Sequence, residues 1–210
     1  GLCYNQRNFV GDGCSERTDA GLSDFGIAVV KELNRQGIVI DLSHTGYTTT
    51  MEAIEFSERP PVFSHANVRS LCESRRNVKD DQILAVARKG GLVGINAFPA
   101  FLRRGSIPTL NDFLDHVDYV AHLVGPEHVA LGLDFSGPGS PSAYANSVRA
   151  LRWKPDDYPP PPYIYPAGLE DPSKLPYVTA GLLQRSYSQD EVRMILGGNW
   201  VRVFRAVWQV

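Results

Sequence analysis

The sequence predicts an α/β protein made of repeated β/α units, and three observations lead to that class. Short apolar runs of strand length alternate with segments whose apolar residues recur at helical spacing. Two of those runs, GIVIDLSH and PPVFSH, each close on a histidine, His44 and His65. A further run, leading into GLDFSG, closes on Asp134. Parallel strands that end in such residues bring them to one rim, where α/β barrels build their active sites.

The elements follow in order. Leu2, Cys3 and Tyr4 read as a strand already under way, and the polar loop from Asn5 to Gly21 carries GDG at 11–13. From about Leu22 to Arg35 the apolar residues Phe25, Val29, Val30 and Leu33 mark a helix, which Gly37 stops. The strand Ile38–Leu42 leads to Ser43 and His44, and a second helix covers about Thr48 to Glu58. Pro60 and Pro61 end it ahead of the strand Val62–Ser64 and His65. A helix at about Asp80–Arg88 precedes the continuous apolar strand Leu92–Ala97, the composition of a parallel strand buried on both faces. Another helix, about Leu110 to Val124, precedes the strand Val129–Phe135. A last helix is expected from Gln189 to Val207, with Ser188 as N-cap and Glu191 completing a capping box. Between Gly137 and Leu175 the alternation stops in a long insertion, a lid or an interaction surface, within which YPPPPYIYP at 158–166 reads as a stiff extended segment.

Composition narrows the function. With 210 residues, 43% of them hydrophobic, the chain can bury one sizeable core, so one domain is expected. A net charge of −2 from 21 basic and 23 acidic side chains, well mixed, offers no footprint for nucleic acid or an anionic membrane, and a small neutral or zwitterionic partner fits better. No apolar run approaches the roughly 18 to 20 residues that span a bilayer, and the opening residues have no export-signal pattern. The expectation is a soluble protein, cytoplasmic or periplasmic in a bacterium. Cys3, Cys14 and Cys72 form no CxxC pair and are expected as free thiols.

The chemistry concentrates at the strand ends. Neutral imidazole is a common ligand for zinc, and His44 and His65 both sit where a strand meets its loop. The Asp134 carboxylate emerging from an apolar strand needs a partner to offset desolvation, and a metal ion is an efficient one. Asp41, three residues before His44, is a candidate acceptor behind the ligands. Arg75, Arg76 and Asn77 lie in a loop over the same rim, where a guanidinium could hold a carboxylate through two parallel hydrogen bonds. His116, His122 and His128 lie away from strand ends and read as surface residues. GDG and the GGN at 197–199 are not phosphate-binding glycine motifs, and no GxSxG elbow or cysteine nucleophile signature appears.

Several blocks, among them YNQRNFVGDGCSERTDAGLSDFG, VVKELNRQGIVIDLSH, PPVFSHAN, SRRNVKDDQI, GLVGIN, HVALGLDFSG, GLEDPSK and ILGGNWVRVF, resemble the membrane (renal) dipeptidases and their bacterial relatives. These are zinc peptidases with a barrel of the amidohydrolase kind. The resemblance implies a TIM-type (β/α)8 fold, with the five strands here as the fourth to eighth of the barrel. It implies hydrolysis of dipeptides by a metal-bound water at a binuclear zinc site, two Zn2+ per complete barrel. His44 and His65 match two metal ligands, Asp134 matches the acidic residue that ligates and shuttles the proton, and Arg76 matches the arginine that holds the substrate carboxylate. Tyr4 falls where mammalian members carry a substrate-contacting histidine, and many bacterial relatives have tyrosine there.

The family's His-x-Asp pair on the first barrel strand and bridging glutamate on the third have no counterpart in these residues. The expectation is therefore that residues 1–210 form the C-terminal portion of a single metallo-dependent hydrolase barrel, with the insertion or lid at about 137–175. An N-terminal segment or chain would complete it, and a homodimer is left open. Hydrolysis of N-acyl amino acids or lactones at the same metal centre, and an inactive binding or assembly module, stand as the alternative functions.

Overall fold

The computed structural model describes residues 1–208. Three parallel strands, β1 (Val62–Ala66), β2 (Leu92–Ile95) and β3 (Val129–Leu131), form a sheet in the order β1-β2-β3. Their register pairs Val62 with Leu92 and Val93 with Val129, so all three strands point the same way and end on one rim. Residues 38–42 extend this sheet without a full ladder. Leu42 N–H donates to the Val62 carbonyl (2.8 Å) and Val62 N–H to that of Ile40 (2.9 Å). The expected first strand at Leu2–Tyr4 is reduced to one bond, from Leu2 N–H to the Asp41 carbonyl (3.2 Å). The last strand pairs only to Leu131, although Ala97 N–H still reaches the Leu133 carbonyl (3.1 Å).

Glycine allows the strands to close up beneath the rim. A Cβ at Gly94 or at Gly132 would collide with the Ser64 carbonyl oxygen, immediately below His65, so both positions need a residue without a side chain.

The helices alternate with the strands. They are α1 (Asp24–Arg35), α2 (Tyr47–Phe56), α3 (Asp80–Arg88), the short α4 (Pro99–Leu102) and α5 (Leu110–Val124). Ser23 caps α1 by accepting from Gly26 N–H, and Thr109 and Asp112 cap α5 reciprocally. Their apolar faces enclose a core that includes Phe63, Ile83, Ile95, Phe113 and Leu114. The stretch between Gly137 and Leu175 has a helix of its own ahead of the proline-rich segment. It contains α6 (Pro141–Arg149), begun by Ser140 and Pro141, and α7 (Leu175–Gln184) follows it. The YPPPPYIYP stretch has no helix or ladder, and it buries Tyr158, Tyr163 and Tyr165.

The expected single helix from Gln189 to Val207 is two helices, α8 (Gln189–Arg193) and α9 (Asn199–Trp208). Between them Gly197 leaves helical space (φ 174°, ψ −22°), at a Gly–Gly pair that favours helix least of the ordinary residues. The Asn199 amide restarts the chain by donating to the carbonyls of Pro126 and Val129, both at 2.8 Å. α9 then lays Val203 and Val207 against Val62, Leu92 and Ala130, and so covers the sheet at the end away from His65. No helix among the described residues is long and apolar enough to cross a membrane.

The expected surface position of His116 is also corrected. It is 1% exposed on the inner face of α5, because both ring nitrogens meet main-chain groups: Nδ1 accepts from Val68 N–H (3.0 Å) and Nε2–H donates to the Leu102 carbonyl (3.1 Å). His122 is exposed and His128 half-buried.

Candidate metal and substrate site

His44, His65, Asp134, Tyr4 and Asp41 line one cavity of about 610 Å3 at the ends of the strands, together with Ser43, Ser136, Trp153 and Tyr158. His65 is on β1, His44 follows the strand-like segment beside it, and Asp134 follows β3. The backbone is bent to present them. Asn5, His44 and Asp134, at φ 62°, 70° and 56°, are three of the six non-glycine residues with positive φ among those described. Such conformations cost about 1 to 3 kcal/mol each and persist where surrounding contacts enforce them.

The partners of the two rings fix their tautomers. Asn5 Nδ2 donates to the Arg152 carbonyl (2.9 Å), which leaves Asn5 Oδ1 as the acceptor for His44 Nδ1–H at 2.7 Å. Ser64 Oγ donates its one proton to Asp41 Oδ2 (2.8 Å), so it must accept from His65 Nδ1–H (2.7 Å). Both Nε2 atoms then carry a lone pair rather than a proton, and they face each other at 2.9 Å, with Arg76 Nη2 3.2 Å from that of His44. Two lone pairs at that distance repel unless a proton or cation lies between them. Two nitrogens on one tetrahedral zinc stand about 3.3 Å apart given Zn–N bonds of about 2.0 to 2.1 Å, so a small ring adjustment lets the pair serve as two ligands. Among the described residues no third histidine, cysteine, aspartate or glutamate joins them as a complete ligand group. The donor set fits zinc, as part of a site.

Electrostatics keep both rings neutral. Burial, followed by the Arg76 charge, drives the His44 imidazolium far below its ordinary pKa. Burial and Arg76 likewise lower that of His65, against the opposing pull of Asp134 and Asp41. Burial works to raise the Asp41 carboxyl, but the N–H groups of Ser43 and Ser64 and the Ser64 hydroxyl outweigh it and hold it below the usual range. Asp41 is thus an acceptor behind the two histidines, as its position suggested, but it serves His65 through Ser64 rather than His44.

Arg76 stands behind this cavity rather than in its wall. It is 3% exposed, and its partners are neutral: Tyr158 OH (2.9 Å from Nε), His44 Nε2 (3.2 Å from Nη2) and the His65 carbonyl (3.5 Å). It joins none of the ion pairs formed among the described residues. A buried guanidinium without a carboxylate partner leaves its charge uncompensated, which favours an anion beside it. Arg75, its neighbour, is exposed, and both line a smaller cavity of about 190 Å3 on the far side of His44. Asp134 accepts from Asn96 Nδ2 (3.2 Å), and Tyr165 OH donates to its carbonyl (3.1 Å). Tyr4 is half-exposed, stacked on His44 with ring centroids 4.2 Å apart, and its hydroxyl accepts from Trp153 Nε1 (3.0 Å).

Sequence reasoning missed Asn5, Ser64, Trp153 and Tyr158. One signal was available for Ser64, since Ser43-His44 and Ser64-His65 repeat the same dipeptide and their hydroxyls meet at 3.2 Å. Nothing local marks the other three.

A parallel β/α assembly that gathers two bare imidazole nitrogens and a carboxylate at the carboxyl ends of its strands is built like the metal-assisted hydrolases of the α/β class. The family model described as membrane dipeptidase, peptidase family M19, matches residues 1–153 and 162–210. The chain belongs to that family. It is 32% identical to human Dipeptidase 3 over 191 residues, which is 91% of this chain and 34% of that protein. It therefore spans about a third of the length of the curated relatives it matches. Among solved structures it resembles an amidohydrolase from Pseudomonas aeruginosa (36% identity, TM-score 0.86, covering 99% of this chain and 64% of that one). It also resembles the metallopeptidase dipeptidase AC of family M19 (25% identity, TM-score 0.81, covering 100% and 58%).

Proposed function

We propose that these residues carry part of the active site of a zinc-dependent dipeptidase with a binuclear centre, and that they correspond to the later β/α units of a TIM-type (β/α)8 barrel. The observation that carries the reading is the pair of unprotonated Nε2 atoms facing each other at 2.9 Å beside Asp134. Family membership and the amidohydrolase and dipeptidase likenesses support it. Two imidazoles and one carboxylate are too few for two metal ions, so the remaining ligands are assigned to barrel strands outside the 210 residues.

When bound, zinc supplies an acidified water as nucleophile and polarises the scissile carbonyl. His44 and His65 are assigned as ligands, held in the tautomer that leaves Nε2 free by Asn5 and by the Ser64–Asp41 pair. Asp134 takes the proton and delivers it to the leaving amine. Arg76 binds the free carboxylate of the dipeptide, and Tyr4 contacts the substrate from its place on His44. In His44→Ala and His65→Ala, zinc content and dipeptide hydrolysis are expected to fall together. Undiminished turnover in either variant would remove that residue from the site.

A further inference from the structure

The family pattern leaves residues 154–161 unmatched, and that stretch contains Tyr158. Its ring is buried (4% exposed), stacked on Trp153 with centroids 4.9 Å apart and planes 7° apart, and set edge-on to Phe101 at 5.4 Å. The hydroxyl at its tip accepts from Arg76 Nε (2.9 Å) and from Asn5 Nδ2 (3.1 Å). Arg76 comes from the loop after β1, so this bond spans 82 residues and ties the insertion to the guanidinium. The aromatic packing holds the ring on three sides, so that its hydroxyl is presented to Arg76 as an acceptor.

We infer that Tyr158 is a positioning residue that holds Arg76 Nε so that the guanidinium is already oriented for a substrate carboxylate. The inference rests on the proposed dipeptidase reading and deepens it, because it makes the insertion a determinant of selectivity for free C-terminal carboxylates. Nε is engaged by Tyr158, while Nη2 stays on the side of His44 and the His65 carbonyl, groups that border the main cavity. A guanidinium held by one edge loses less freedom when an anion arrives. Without the hydroxyl, Arg76 Nε–H is a buried donor with no partner, and the group must turn to find one.

The test compares wild type and Tyr158→Phe in the full-length, zinc-loaded protein, with alanyl-alanine and its C-terminal amide as substrates. The expected result for Tyr158→Phe is a KM for alanyl-alanine raised about tenfold, with kcat within about twofold, and an unchanged KM for the amide. Zinc content should be unchanged, since Asn5 keeps its bonds to Arg152 and His44. Calorimetric binding of the reduced-bond analogue of alanyl-alanine should weaken by about the same factor. In an Arg76→Ala background, Tyr158→Phe should add less than about twofold. Proportional losses on both substrates, or full additivity with Arg76→Ala, would overturn the inference. A wild type that neither hydrolyses nor binds either compound would instead overturn the dipeptidase reading, and the inference with it. If Tyr158→Phe does not fold, Trp153→Leu removes the stacking partner and leaves the hydroxyl. It should move the ratio of KM values in the same direction by about threefold, and an unchanged ratio would refute the positioning role.

Discussion

Replacing His116 with glutamine should flatten the acid limb of the protein's stability curve. In the fold His116 is neutral, because Nδ1 must stay unprotonated to accept from Val68 N–H while Nε2–H donates to Leu102. Burial lowers its pKa from 6.5 to about 4, against the opposing hydrogen bond to Leu102 and the charges of Asp115 and Asp112. Well above pH 6.5 the folded and unfolded chains are both neutral at this position, and its contribution is fully present. As pH falls the unfolded chain takes up a proton that the folded one refuses, so stability declines until the folded pKa is passed. The difference amounts to about 2 kcal/mol by pH 5 and about 3 kcal/mol well below pH 4, at 1.36 kcal/mol per unit. Glutamine offers one acceptor and one donor in a neutral side chain and removes the titration. Urea unfolding of wild type and variant at pH 8, 6 and 5 reads the effect, with the variant losing about 2 kcal/mol less over that range. His44 and His65 add to the acid limb in both proteins, so the comparison isolates His116. Equal pH slopes in the two proteins would refute the argument.

Ser64→Ala should weaken zinc binding by about 10- to 100-fold, because His65 Nδ1–H then lacks an acceptor and Asp41 loses one donor; competition with a chromophoric chelator measures it, and an affinity within twofold of wild type would remove the relay. Arg76→Ala should raise KM for free-carboxylate dipeptides by about 100-fold, the loss of a charge-assisted contact of about 3 kcal/mol, and leave amidated substrates little changed; equal losses on both would rule out the carboxylate role.

The helices and strands were legible where local rules act alone. The bounds of α3 and α5 coincide with the expected Asp80–Arg88 and Leu110–Val124, because capping residues and apolar spacing lie within one segment of sequence. The break at Gly197 was not legible, since apolar spacing continues on both sides and the restart depends on Asn199 reaching Pro126 and Val129. His116 failed for a similar reason: a polar residue on an amphipathic helix reads as exposed until main-chain groups from elsewhere meet both its nitrogens.

At the site, the sequence by itself determined that two histidines and an aspartate follow strand-like runs of one parallel sheet, because strand period and burial carry each residue to the same rim. Only the tertiary structure decided which proton each imidazole keeps, that Arg76 lies behind the cavity, and that Tyr158 offers it an acceptor oxygen. Those facts rest on hydrogen bonds between residues as far apart as Asn5 and Tyr158, 153 positions along the chain. Directional contacts of a few ångströms leave no period in a sequence, whereas the burial of a strand or a helix face does.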